Sequence, residues 1–124
     1  MKQQAVRGIR GAINITENTK AAITTATREL LAETLKQNEL DPADIASIFF
    51  TVTPDINAEF PAVAARELGL TWVPLLCCTE INIPGSLPLV IRILIHANTT
   101  RSQQEIKHIY LGEAVRLRPD INKA

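Results

Sequence analysis

Residues 89–98 read LVIRILIHAN, and this run constrains the fold more than any other. In an extended chain Ile91, Ile93 and Ile95 share one face, while Val90, Arg92, Leu94 and His96 share the other. The alternation and the β-branched content specify a strand. Arg92 has apolar residues for several positions on either side, so its face is at least partly covered and its charge needs an anionic partner. Either Glu80 supplies that partner, as a structural ion pair, or a ligand carboxylate does, as a binding site.

The remaining segments fit around such a strand. Residues 5–15 alternate loosely as a first strand, in which Gly8 and Gly11 permit a bend or a close backbone approach. Asn18 is a candidate cap for a long helix whose apolar stripe is Ile23, Ala26, Leu30, Leu31 and Leu35, ending near Asn38. Asp41 and Pro42 open a short turn into IASIFFTVT, residues 45–53, whose apolar content on both faces predicts a strand covered on both sides. Pro61 is placed to open a short helix that Gly69 closes, and TWVPLLCCTEI reads as a third main strand followed by the turn NIPGS. SQQEI reads as a helical turn capped by Ser102. KHIYLGEAVRLRPDI reads as a last strand or bent pair interrupted at Gly112. The sum is an α+β fold over residues 1–124 as one domain: a mixed β-sheet with one long helix packed on it.

Charge excludes several function classes. Thirteen Lys and Arg balance thirteen Asp and Glu, so no excess positive field exists to hold nucleic acid or an anionic membrane. No stretch approaches the roughly 20 apolar residues of a membrane span, and MKQQAVRG opens no signal peptide; the expected location is cytoplasmic. Cys77 and Cys78 are adjacent, which strains a mutual disulfide, and no further Cys or paired His completes a zinc set. Reduced thiols and no metal are the expectation.

Chemistry is carried by charge inside strands: Arg7, Arg10, Arg92, Arg116 and Arg118, with Glu80 at the end of LLCCTE. A lone strand arginine usually faces solvent. Several together with one carboxylate, and with no Ser-His-Asp order, glycine-rich phosphate loop or metal-ligand cluster, point to a small polycarboxylate ligand. His96 reads as a strand residue and His108 as a surface residue. Cys77 or Cys78 serves either as a weak hydrogen-bond donor or as a small core hydrophobe, and Tyr110 either packs or makes a polar contact. Arg7 and Arg10, three residues apart on a strand, point to opposite faces and need different explanations.

Five blocks, VRGIRGA, TPDINAEFPAVAAREL, VPLLCCTEINIPGSL, IRILI and HIYLGEAVRLRPD, resemble in order and spacing the monofunctional chorismate mutases of the trimeric, β-rich class, over about Val6 to Asp120. The resemblance implies a pseudo-α/β-barrel homotrimer with active sites between subunits. It implies cofactor-free rearrangement of chorismate to prephenate, toward phenylalanine and tyrosine. By motif, Arg10 and Tyr110 correspond to carboxylate ligands, Arg92 to the arginine on the ether oxygen and a carboxylate, and Glu80 and Cys77 to residues near the ring hydroxyl. Phe60 and Arg66 correspond to wall and rim positions of the facing subunit, and Leu117 and Arg118 to a closing C-terminal segment. Arg7 is left with a structural or interface ion pair. Val63 stands where a lysine is common and Leu76 where a threonine is common. Two alternatives share much of this pattern: a trimeric enamine/imine deaminase, and a non-catalytic trimer that binds a metabolite, which would need the arginines but not Glu80.

Overall fold

The structure, a computed structural model, describes residues 3–117. They form β1 (Ala5–Asn14), α1 (Lys20–Gln37), β2 (Ile45–Val52), α2 (Ala62–Glu67), β3 (Leu75–Thr79), β4 (Val90–Thr99) and β5 (Ile109–Leu111). The strands make one five-stranded mixed sheet in the order β3-β2-β4-β1-β5. The LVIRILIHAN strand is its centre, antiparallel to both β1 and β2, while β5 runs parallel to β1 and β3 parallel to β2.

Residue parity assigns the two faces of this sheet. Ile9, Ile13, Ile48, Phe50, Ile91, Ile93 and Ile95 are buried and form the core with Ile23, Leu30 and Leu31 of α1. Gly11 lets the helix approach, because a Cβ there would lie 2.9 Å from the Ile109 carbonyl oxygen and 3.1 Å from Leu30. The helix begins one residue later than Asn18 suggested. Thr19 is extended, at φ −133° and ψ 156°, and its hydroxyl accepts the Ala22 N–H. Asn18 instead receives the Asn57 and Ala58 amides on its side-chain oxygen and donates to Asn57, tying the chain ahead of the helix to the loop after β2. Two threonines join the buried stripe: the Thr27 and Thr34 hydroxyls each donate to the carbonyl four residues back at 2.7 Å, which meets their polar requirement inside the core. Leu35, expected in the stripe, is partly buried.

Local signals elsewhere act as read. Asp41 caps a 3-10 turn over Pro42–Asp44, and Ser102 and Glu105 form a reciprocal capping box around Gln103–Glu105. Gly69 ends α2 at φ +87°. The structure narrows two readings for physical reasons. Among the described residues the last segment is a single strand and not a bent pair, because the φ of +60° at Gly112 turns the chain and the Asn14 side chain takes the Glu113 N–H at 2.8 Å. The segment Gly112–Leu117 becomes a 3-10 helix that lays Ala114 and Leu117 against Ala12, Val90 and Tyr110. Nor is β2 covered on both faces within one protomer. Phe50 is fully buried against the helix side, whereas Phe49 on the opposite side is 37% exposed, since only the end of that face near β5 carries the returning 3-10 helix.

Candidate active site

Strand register brings the candidate residues together. One row crosses all five strands: Cys78, Thr51, Arg92, Ala12 and Tyr110 are successive cross-strand partners, all on the face away from α1. The next row is Leu76, Phe49, Leu94 and Arg10. Over these rows opens a cleft of about 430 Å³, with Arg10, Arg92, Glu80 and Thr51 as its polar lining and Phe49, Leu76 and Leu94 as its apolar floor.

Arg92 Nε lies 3.1 Å from Glu80 Oε1. The Thr51 hydroxyl donates to the same oxygen at 2.6 Å, and the Glu80 backbone N–H donates to the Val52 carbonyl at 2.8 Å, which keeps Glu80 in line with β2 just past the end of β3. Arg92 Nε is shut off from water, yet its N–H is not aligned on any acceptor. The contact is therefore an ion pair set by position rather than a directed hydrogen bond. Both side chains reach the cleft, Arg92 being 40% and Glu80 25% exposed. An ion pair this accessible adds little to stability.

The other expected residues separate into two groups. Tyr110 is buried at the end of the Arg92 row, packed with Ala12, Val90 and Ala114, and Leu117 joins that cluster. Both sit on the cleft face without lining the cleft itself. Cys77, Phe60 and Arg66 lie on the far side of β3, so the structure does not bring their side chains to Glu80 and Arg92. Alternation along β3 sends Cys77 toward α2 and leaves Cys78 on the cleft. Burial is the main effect on the Cys77 thiol and pushes its pKa up; the Ala62 N–H and the Arg66 charge act in the opposite direction. Phe60, 67% exposed, shares with Cys77 a second cavity of about 570 Å³ at the start of α2. Arg118 lies outside the described residues.

Thr51 and Phe49 were not singled out from the sequence. Their only signal is the two-residue period around Arg92, and that period needs the register to become a site. His96 is a strand residue as expected, with Nδ1 3.2 Å from the Ser47 hydroxyl and its ring edge-on to Phe49. His108 is only partly at the surface. It is half-buried, lines a small cavity beside Arg10, and its Nδ1 accepts the Arg10 backbone N–H at 2.9 Å; burial lowers its pKa. Arg7, for which an ion pair was expected, donates from Nε to the Arg101 carbonyl at 3.2 Å. Among the described residues no three His, Cys, Asp or Glu side chains converge closely enough to ligate a metal ion.

Two arginines and a fixed carboxylate over an apolar floor can take a small anionic ligand with an apolar body. The chorismate mutase type I family model matches residues 6–121. The chain is 52% identical over 120 residues to the chorismate mutase AroH of Thermus thermophilus, covering 96% of this chain and 98% of that protein. It is 38% identical over 118 residues to the chorismate mutase AroH of Bacillus subtilis, covering 94% and 93%. A solved chorismate mutase from Clostridium thermocellum superposes with a TM-score of 0.86 at 46% identity, over 87% of this chain and 96% of that one. The chain belongs to the type I chorismate mutase family.

Proposed function

We infer that this protein is a chorismate mutase, an isomerase that converts chorismate to prephenate in the biosynthesis of phenylalanine and tyrosine. The observation that carries the reading is the opposed pair Arg92 and Glu80, facing one cleft with Arg10 beside them. The reaction breaks a C–O bond and forms a C–C bond within one molecule, so it needs no general acid, base or nucleophile. It needs the substrate held in a compact conformer, which is a positional contribution. It also needs charges placed where charge develops. As the ether bond breaks, negative charge grows on its oxygen and the ring becomes relatively positive. Arg92 opposes the first and Glu80 the second, and both interactions strengthen toward the transition state. Arg10 holds a carboxylate in a bidentate fork. Thr51, by fixing one Glu80 oxygen, keeps that carboxylate from collapsing further onto Arg92.

We assign Phe60 and Arg66 to the site of a neighbouring copy in a homotrimer. They lie across β3 from Arg92, beyond reach of the same cleft in one protomer, and the open sheet face offers Phe49 and Leu76 to a partner. We keep Tyr110 as a carboxylate ligand of that site and Leu117 in its closing segment, whereas the half-buried Cys77 thiol opens on the second cavity and not on the Arg92–Glu80 cleft. The test is direct. Purified protein incubated with chorismate alone should consume its ultraviolet absorbance and yield prephenate. Release of ammonia from a 2-aminoacrylate-type imine, or binding of chorismate with no acceleration, would overturn the assignment.

A further inference from the structure

The ladder between β1 and β5 covers only Gly11, Ala12 and Ile13, paired with Ile109, Tyr110 and Leu111. One residue earlier, at Arg10, β5 has no backbone left to offer, and the His108 side chain fills the gap: Nδ1 accepts the Arg10 N–H at 2.9 Å. An imidazole nitrogen thus stands in for one carbonyl of the sheet, at the residue whose side chain lines the cleft. As an acceptor at Nδ1, His108 must be neutral and carry its proton on Nε2.

We propose that His108 is a positioning residue that holds Arg10 at the cleft through this bond, and that its protonation releases Arg10 and weakens substrate binding in acid. The proposal rests on Arg10 being a substrate-carboxylate ligand. Protonation would turn Nδ1 into a donor and set two N–H groups against each other, so the contact must open. The main chain of His108 cannot simply shift to relieve it. The Asn38 side chain at the end of α1 accepts the Lys107 N–H and donates to the Lys107 carbonyl, both at 2.8 Å. The strain therefore falls on β1 at Arg10.

The surroundings favour the neutral ring. Sharing a cavity of about 310 Å³ with His108 are Gly8, Leu94, the neutral Gln103 and Arg10, with no carboxylate among the lining residues. Glu105, in the turn beside Gln103, receives the Ser102 N–H as that turn's cap. Burial lowers the His108 pKa, so the change falls below the ordinary imidazole range, near 6.5.

Two variants and one spectroscopic measurement test the link. In the wild type, KM for chorismate should rise roughly three- to tenfold, with kcat little changed, as pH falls through the His108 titration. In His108→Asn the amide oxygen accepts at every pH, so KM should lose that acid limb. His108→Leu offers no acceptor and should show the raised KM across the whole range. Without substrate, the Arg10 amide resonance should titrate together with the His108 ring. A persistent acid limb in His108→Asn, a KM that falls in acid as an added positive charge would produce, or an Arg10 amide that ignores the titration would each overturn the proposal. The amide titration decides it even if a variant fails to fold. A wild type inert toward chorismate would overturn the functional reading while leaving the Arg10 amide titration as the test of the His108 contact, and an Arg10→Ala enzyme with unchanged KM would overturn the Arg10 role and the proposal with it.

Discussion

Arg92 stands on β4 and Glu80 just past the end of β3, and they meet above Thr51 of the intervening β2, so three segments each supply one part of a three-residue unit. Truncating Arg92 to Ala should lower kcat by about 100- to 1,000-fold, the worth of one preorganised donor at about 3 to 4 kcal/mol. Its thermal midpoint should barely move, because the pair is accessible to water. Arg92→Lys should recover little, since an ammonium cannot reproduce the planar fork. Thr51→Val deletes the donor to Glu80 while keeping the β-branched shape; kcat should fall by about fivefold, near 1 kcal/mol. Steady-state kinetics beside a melting curve separates both effects from a loss of folded protein.

At the scale of elements, the 3-10 helix after Gly112 decides whether Leu117 reaches the Tyr110 cluster. An alanine Cβ at Gly112 would sit 2.3 Å from the Asn14 side-chain oxygen, at a φ of +60° that only glycine adopts readily. Gly112→Ala should cost about 1 to 3 kcal/mol and raise KM, read from urea unfolding and saturation kinetics on the same preparation. The connection into β5 also makes stability pH-dependent. The folded-state pKa of His108 is lowered by burial, so the unfolded chain takes up the proton first. The stability this gives is present above about pH 6.5, the unfolded value, and is lost as pH falls through the folded value. Urea midpoints measured from pH 7 to 5 should decline in the wild type, and His108→Leu should lack that part of the decline.

At the scale of the whole molecule, β3 is an edge strand with half of the assigned site on each side of it: Arg92, Glu80 and Arg10 on one, Phe60 and Arg66 on the other. A homotrimer that joins these halves makes a prediction no monomer can meet. Arg92→Ala and Arg66→Ala enzymes, each impaired alone, should regain activity when unfolded together and refolded as a mixture. In a random trimer about one site in four then combines two intact halves. Recovery near a quarter of wild-type activity, with a sedimentation mass of three chains, supports shared sites. No recovery from mixtures that form hybrid trimers would place both arginines in one protomer's site.

The local elements were legible in the sequence because their causes are local. Alternation around Ile91, Ile93 and Ile95, the Ile23–Leu31 stripe, and the caps at Asp41 and Ser102 all act within a few residues, and each element formed where those signals lie. The five motif blocks likewise carried the family into view, and the Arg92 strand left Glu80 as one of two candidate partners. Register lay beyond them. Which cysteine of an adjacent pair faces the cleft, that Thr51 and Glu80 meet, and that His108 completes a ladder at Arg10 all depend on how strands far apart in sequence are aligned. That alignment comes from packing the whole sheet against α1, where a slip of one residue would exchange the two faces. The chain by itself determined that charged groups stand in its strands; the tertiary structure decided which of them share a cleft.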